Sequence, residues 1–160
     1  MTIDDIDREF ASLKDYRKQS MYRTKHFKIY ELVPKAIYYA TPESKHHRLW
    51  QLFDDRALIT LDLLRDRYGS ATVNDWYWGG SNEFGGWRPG DCKVGSELSQ
   101  HKRGRAFDPK FKSITADEIR KDILKDQSLF PFITCLEMGV SWLHFDTRNW
   151  TAENILQVNP

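Results

Sequence analysis

The sequence predicts a single α+β domain, and three local patterns carry that prediction. Apolar residues recur at helical spacing over Asp55–Tyr68, a capping box opens a second helix at Thr115, and from Phe132 the pattern changes to that of a β-hairpin. A chain of 160 residues is the size of one ordinary domain and can bury roughly two thirds of the surface that its unfolded form exposes. With 40% hydrophobic and 14% aromatic residues it has the material for a packed core, so residues 1–160 read as one domain. Residues 1–50, approximately, read as a helical and irregular extension that packs on the rest.

Taken in order, residues 2–18 read as an amphipathic helix, with Ile3, Ile6, Phe10 and Leu13 on one face and Thr2 placed to cap it. Over residues 22–47 the periodicity weakens and two prolines interrupt it; this part is mixed loop and strand, with KIYELVP (28–34) a candidate short strand. The helix over Asp55–Tyr68 sets Ala57, Leu61, Leu64 and Tyr68 in one stripe, with an aspartate before it and Gly69 at the stop position. ATVNDWYW (71–78) is rich in β-formers and reads as a strand. Residues 79–97 hold six of the nine glycines, which predicts one long irregular loop, a feature that in a small domain is commonly functional or disordered. TADE (115–118) is a capping box and starts a helix over Ala116–Lys125. The final hairpin runs from a strand at 132–137, through a turn around Gly139, to a strand at 142–147. There is no internal repeat and no low-complexity segment.

Charge and cysteine usage exclude several classes. The 24 basic and 23 acidic residues leave a net charge of +1, which argues against a protein built to hold nucleic acid through its phosphates. The opening MTIDDIDREF is polar and acidic where a signal peptide is basic and then apolar, and no run approaches the ~18 apolar residues of a membrane span. The expectation is a chain made in the cytoplasm, without a membrane partner, and a monomer by default. Cys92 and Cys135 are too few and too far apart for a disulfide framework or a cysteine zinc knuckle, and read as free thiols, Cys135 buried.

The chemistry concentrates in two short stretches. SQHKRGRAFD (99–108) separates His101 from Asp108 with Gly104 and Ala106 between them, residue types that permit a tight backbone path. His144 and Asp146 stand two apart on the second hairpin strand and so share a face. Either pair by itself reads equally well as solvated charge, the first lying among Lys102, Arg103, Arg105, Lys110 and Lys112. Together, two histidines and one carboxylate with a position left open form the ligand set of a catalytic zinc, whereas a structural zinc is more often closed by four ligands.

These stretches resemble the Ser-x-His-x-x-Gly-x-Ala-x-Asp and Trp-x-His-x-Asp motifs of the M15 zinc peptidases, the D-alanyl-D-alanine carboxypeptidase and L-alanyl-D-glutamate endopeptidase family, whose fold the hedgehog signalling domain shares. Ser99, His101, Gly104, Ala106 and Asp108 match the first motif without a gap, Trp142, His144 and Asp146 match the second, and the element order is similar over about residues 55–149. The resemblance implies a hedgehog/DD-peptidase-like fold, a small antiparallel sheet flanked by helices around a zinc site, with Zn2+ on His101, Asp108 and His144. It also implies cleavage of the peptidoglycan stem peptide, in the manner of a phage-type endolysin or virion-associated peptidase acting at the bacterial cell wall.

A zinc-bound water needs a base, and the leaving amine needs an acid. Family members place an acidic residue three positions before the last histidine; here that position is Ser141. Glu137, across the hairpin turn, is the nearest substitute: pairing it with Trp142 would set it diagonal to His144 on one face, and hedgehog-like members also carry a glutamate farther upstream. The other reading of Glu137 is a surface residue at a hairpin shoulder. Arg88 in GGWRPG, where the family tends to have an arginine, either binds a substrate carboxylate with its guanidinium fork or braces the loop. Ser99 either adds a hydrogen bond to the same carboxylate or braces the loop, and Asp146 either orients a ligand imidazole or binds a substrate amine. Trp78, Trp87 and Trp142 read as core or loop packing ahead of a substrate wall, and His26, His46 and His47 as surface residues.

The leading expectation is a zinc peptidase with Glu137 as catalytic base and acid and with Arg88, Ser99 and Asp146 contacting substrate. The alternative is a zinc-binding structural or interaction module of the same fold without turnover, which Ser141 favours. Nucleic-acid binding through the basic stretch 102–112 is the weakest reading, because its cations surround the proposed ligands.

Overall fold

Both helices that carry complete local signals form over the residues expected. In the structure, a computed structural model that describes residues 21–151 and 153–160, a 3-10 turn (Ile29–Glu31), helix α1 (Lys35–Ala40) and a 3-10 segment (Glu43–Leu52) lead into α2 (Asp55–Tyr68). The helix expected over residues 2–18 lies outside the described residues. Asp54 caps α2 by accepting from the Arg56 N–H (2.9 Å), and Gly69 ends it with its N–H donating to the Arg65 carbonyl (3.1 Å). α3 (Ala116–Lys125) opens on the capping box: the Thr115 hydroxyl accepts from the Glu118 N–H (3.3 Å) and the Glu118 carboxylate accepts from the Thr115 N–H (2.9 Å).

Among the described residues six short strands complete the α+β architecture: β1 (Ala71–Thr72), β2 (Ala106–Phe107), β3 (Lys110–Phe111), β4 (Cys135–Glu137), β5 (Phe145–Asp146) and β6 (Leu156–Val158). β1 and β3 pair antiparallel, and a four-stranded sheet has the order β2-β5-β4-β6. The sheet is mixed where an antiparallel one is expected, because β6 returns parallel to β4. Alternation along the strands divides its faces. Phe107, Leu136 and Phe145 enter one buried core with Leu58, Leu61 and Leu64 of α2 and Ile119 and Ile123 of α3. The opposite face carries Ala106, Cys135, Glu137 and Asp146 with His144 just before β5, and this is the face that the chemistry uses.

Residues 21–50 are built into the same core through Phe27, Leu32, Val33, Leu49 and Trp50. Asp62, buried on α2, ties this segment down by accepting from the N–H groups of Lys25 (2.7 Å) and His26 (3.2 Å) and from the Tyr22 hydroxyl (2.7 Å). Burial, with the Asp62 carboxylate adding to it, pushes the Tyr22 phenol up and keeps it a donor. Asp62→Ala removes all three bonds and is expected to lower unfolding free energy by about 2 kcal/mol, read by urea denaturation.

Three expectations are corrected. Residues 28–34 form no strand: Pro34 starts α1, and the carbonyls before it accept from elsewhere, Glu31 from Asn74 N–H (3.0 Å), Leu32 from Trp87 N–H (2.8 Å) and Val33 from the Trp76 indole (2.9 Å). Of residues 71–78 only β1 is strand, because Asp75 accepts from the Asn82 N–H (2.8 Å) and turns the chain. The hairpin is shorter and its register differs by two: Leu136 pairs with Phe145, and the Glu137 N–H donates to the His144 carbonyl (3.3 Å). The buried Arg120 of α3 fixes that register by donating to the carbonyls of Val140 (2.7 Å) and Trp142 (2.9 Å), which holds residues 138–143 as a wide loop. Among the described residues no helix is long and apolar enough to cross a membrane.

Candidate metal centre

His101 lies on a 3-10 turn, Gln100–Arg103, that ends at Gly104. Gly104 has φ +68°, and a Cβ there would overlap the Leu52 carbonyl, so only glycine lets the chain leave the turn and enter β2. Gly104→Ala is expected to cost about 1–3 kcal/mol from this backbone conformation alone, measured by thermal and urea unfolding. Ala106 and Phe107 then form β2, and Asp108 follows directly beside β5, so the two motifs converge through strand pairing.

Three donor atoms meet there. His101 Nε2 lies 3.2 Å from His144 Nδ1 and 3.2 Å from Asp108 Oδ1, and His144 Nδ1 lies 2.8 Å from Asp108 Oδ1. Ligands about 2.0–2.1 Å from a tetrahedral zinc are separated by about 3.3 Å, so the separations suit a single small ion. Among the described residues these three alone form a group able to hold a metal ion.

Each donor is aimed by a partner behind it. His101 Nδ1 donates to the Gly86 carbonyl (2.8 Å); a carbonyl only accepts, so the proton sits on Nδ1 and the Nε2 lone pair faces the other donors. A Cβ on Gly86 would overlap the Leu32 carbonyl, which is why this backbone can come so close. His144 Nε2 faces Asp146 Oδ2 (3.2 Å), and Asp146, wholly buried, is gripped by Arg148 through Nε (2.8 Å) and Nη2 (2.6 Å). Asp108 offers Oδ1 to the cluster while Oδ2 accepts from Arg88 Nη2 (3.0 Å).

Electrostatics follow the same arrangement. Burial is the largest influence on His101 and lowers its pKa against the pull of Asp108, favouring the neutral ligand form. Burial opposes the charge of Asp108, but its bonds to His101 and His144 outweigh this and hold the carboxyl well below the usual range. Burial also opposes protonation of His144, yet Asp108 and Asp146 outweigh it and raise the imidazole to about 9. Metal binding therefore competes with a proton at this residue. Cys135, on the same face, is pushed up to about 12 by burial first and by Asp146, and is an inert thiol.

The remaining expected residues fall as follows. Glu137 stands opposite His144 and lines, with the three donors, an open cavity of about 700 Å³; its carboxylate accepts from the Trp142 indole (3.2 Å). Arg88 is buried and each of its three guanidinium nitrogens donates to the protein: to Asp108, to the Phe84 carbonyl (2.7 Å) and to the Val94 carbonyl (3.3 Å). Of its two readings, the brace is the one that the geometry supplies. Ser99 precedes the His101 turn and lines the cavity. Asp146 orients His144 and is too buried to meet a substrate amine. Ser141 is exposed on the hairpin loop. Trp87 packs against the core, whereas Trp78 and Trp142 are exposed. His46 bonds the carbonyls of Tyr38 and Thr41, and His26 pairs with Asp66, both outside the donor group.

Comparison with known proteins adds nothing to this geometry. No family model, curated protein or solved structure matches the chain.

Sequence reading missed Arg120 and Arg148. Arg148 carried a usable signal, since it follows Asp146 at the two-residue spacing of His144 and Asp146; Arg120 carried none, because a basic residue beside a helix's apolar stripe is ordinarily solvated.

Proposed function

We propose that the chain is a zinc-dependent peptidase of the M15 kind, with a hedgehog/DD-peptidase-like fold, that hydrolyses peptide bonds of the peptidoglycan stem peptide. The observation that carries this reading is the set of three convergent donors, each aimed by its own partner and open on one side to a cavity. His101, Asp108 and His144 would hold the ion, and two imidazoles with one carboxylate suit zinc. When bound, zinc supplies Lewis acidity and lowers the pKa of a coordinated water toward neutrality.

The chain's own groups supply the rest. Glu137 is outside the donor group, so its carboxylate is available to take a proton from the attacking water and pass it to the leaving nitrogen. The Trp142 indole N–H orients that carboxylate. Arg88 keeps Asp108 turned, and the Asp146–Arg148 pair keeps the His144 Nδ1 lone pair directed at the cluster. A murein peptidase working as a phage-type lysin or virion component is the role that the motif resemblance supports.

A zinc-binding module without turnover is the second reading, favoured by the exposed Ser141 where the family carries its acid. The deciding experiment combines metal analysis of protein purified without added zinc with digestion of purified peptidoglycan, scored by new amino groups. Zinc together with release supports the peptidase; zinc without release favours the module; absence of any metal overturns both.

A further inference from the structure

Three depressions meet at Trp142, which is 40% exposed. One is the cavity of the three donors and Glu137. A second, about 340 Å³, runs from Asp108 past Lys110 to Ser81 and Asn82. The third, about 640 Å³, lies over Lys110, Lys112 and the start of α3. Trp142 lines all three and Lys110 lines the last two, so the donor cavity continues beyond the indole into a groove floored by β3.

The charges along this path are unequal. In the donor cavity the guanidinium groups of Arg88 and Arg148 are committed to Asp108 and Asp146. In the groove Lys110 and Lys112 are exposed, and neither has an ion pair or side-chain hydrogen bond among the described residues. Both line the third depression, while Phe111 between them packs edge-on against Tyr68. Three acids line the two depressions and each has another partner: Asp108 accepts from Arg88, Glu83 from the Lys35 N–H (3.1 Å), and Glu118 from the Thr115 N–H (2.9 Å) and hydroxyl (2.7 Å). The groove therefore offers two uncompensated cations beside an aromatic face.

We infer that this groove is a carboxylate-reading subsite: Lys110, supported by Lys112, binds a free carboxylate of the peptide, and the Trp142 indole supports the apolar stretch between that carboxylate and the donor cavity. The inference rests on the peptidase reading for its ligand class, and it moves carboxylate recognition from the buried Arg88 to an exposed pair on β3 and just beyond it. A lysine pair at a surface groove is worth a few-fold in affinity, enough to discriminate a free carboxylate from its amide and sensitive to salt. Stem peptides whose glutamate keeps its α-carboxylate are then bound in preference to those in which it is amidated.

The test uses the whole chain and two probes, N-dansyl-L-alanyl-γ-D-glutamyl-L-lysinamide and the same peptide with the glutamate α-carboxylate as primary amide. Binding is read by dansyl anisotropy within seconds of mixing at low salt. The acid is expected to bind about five-fold more tightly than the amide, Lys110→Ala with Lys112→Ala to abolish the difference, Lys110→Arg to retain it, and Lys125→Ala on α3 to leave it intact. Equal binding of the two probes, no binding of either, or a preference that survives the double substitution overturns the subsite. Preference without cleavage upholds the subsite and removes the peptidase reading; cleavage without preference does the reverse. Uniform tight binding of a DNA duplex that displaces the probe would identify the groove as a phosphate surface and overturn it as well.

Discussion

Glu137→Ala is expected to lower peptidoglycan cleavage by about 10²–10⁴-fold while the protein keeps its zinc. The two halves of that result have separate physical causes. Glu137 does not belong to the donor group, so metal content has no reason to change. In the proposed reaction its carboxylate, which shares a sheet face with His144, moves the proton, and among the described residues lining the donor cavity it is the one acid outside the donor group. The side chain is half-buried and its carboxylate accepts from the Trp142 indole (3.2 Å), a single bond near the surface, so folding should change little. Glu137→Gln is the sharper form, because an amide oxygen still accepts from that indole but cannot serve as a base. Released amino groups and zinc by mass spectrometry, measured on the same preparations, give the answer. Full activity in Glu137→Gln would remove Glu137 from catalysis and require another base, whereas an equally low background in wild type and variant would leave the non-catalytic module as the better account.

His101→Ala is expected to take zinc from about one equivalent per chain to a small fraction of that, and to abolish the response of stability to metal. If zinc is present at about 1,000 times its Kd, binding stabilises the folded chain by about 4 kcal/mol, which for a domain of this size is a Tm difference of roughly 8–16 °C between loaded and chelated protein. That difference should vanish in the variant, whose Tm is the same with zinc or chelator. His101 is a cleaner choice than Asp108, because Asp108 also neutralises the buried Arg88, and its loss would strand a cation as well as a ligand. A chelator-sensitive Tm in both proteins would place the metal elsewhere.

Legibility in the sequence varied with the distance between the residues that decide a feature. The helices over Asp55–Tyr68 and Ala116–Lys125 were readable to both ends, since Asp54, Gly69 and the Thr115–Glu118 box act within a few residues of the helix they bound. The donor set was readable for a similar reason: residue type states the ligand chemistry, and Gly104 marks the turn that two side chains need in order to converge. Strands of two or three residues were poorly readable. Val33 and Trp76 have the composition of strands, but their backbone and indole groups bond to each other across a loop rather than to a ladder.

By itself, then, the sequence determined an α+β chain with two bounded helices and three residues of metal-binding type, because capping, periodicity and ligand chemistry are encoded locally. Only the tertiary structure decided that Glu137 stands opposite His144, that Arg88 braces Asp108, that β6 lies parallel to β4, and that Lys110 and Lys112 share a depression with Trp142. Those outcomes depend on contacts between segments far apart in the chain, such as Arg120 with Trp142 and Arg88 with Asp108. Their free energy comes from burial and charge pairing after collapse, and no local window of the sequence contains it.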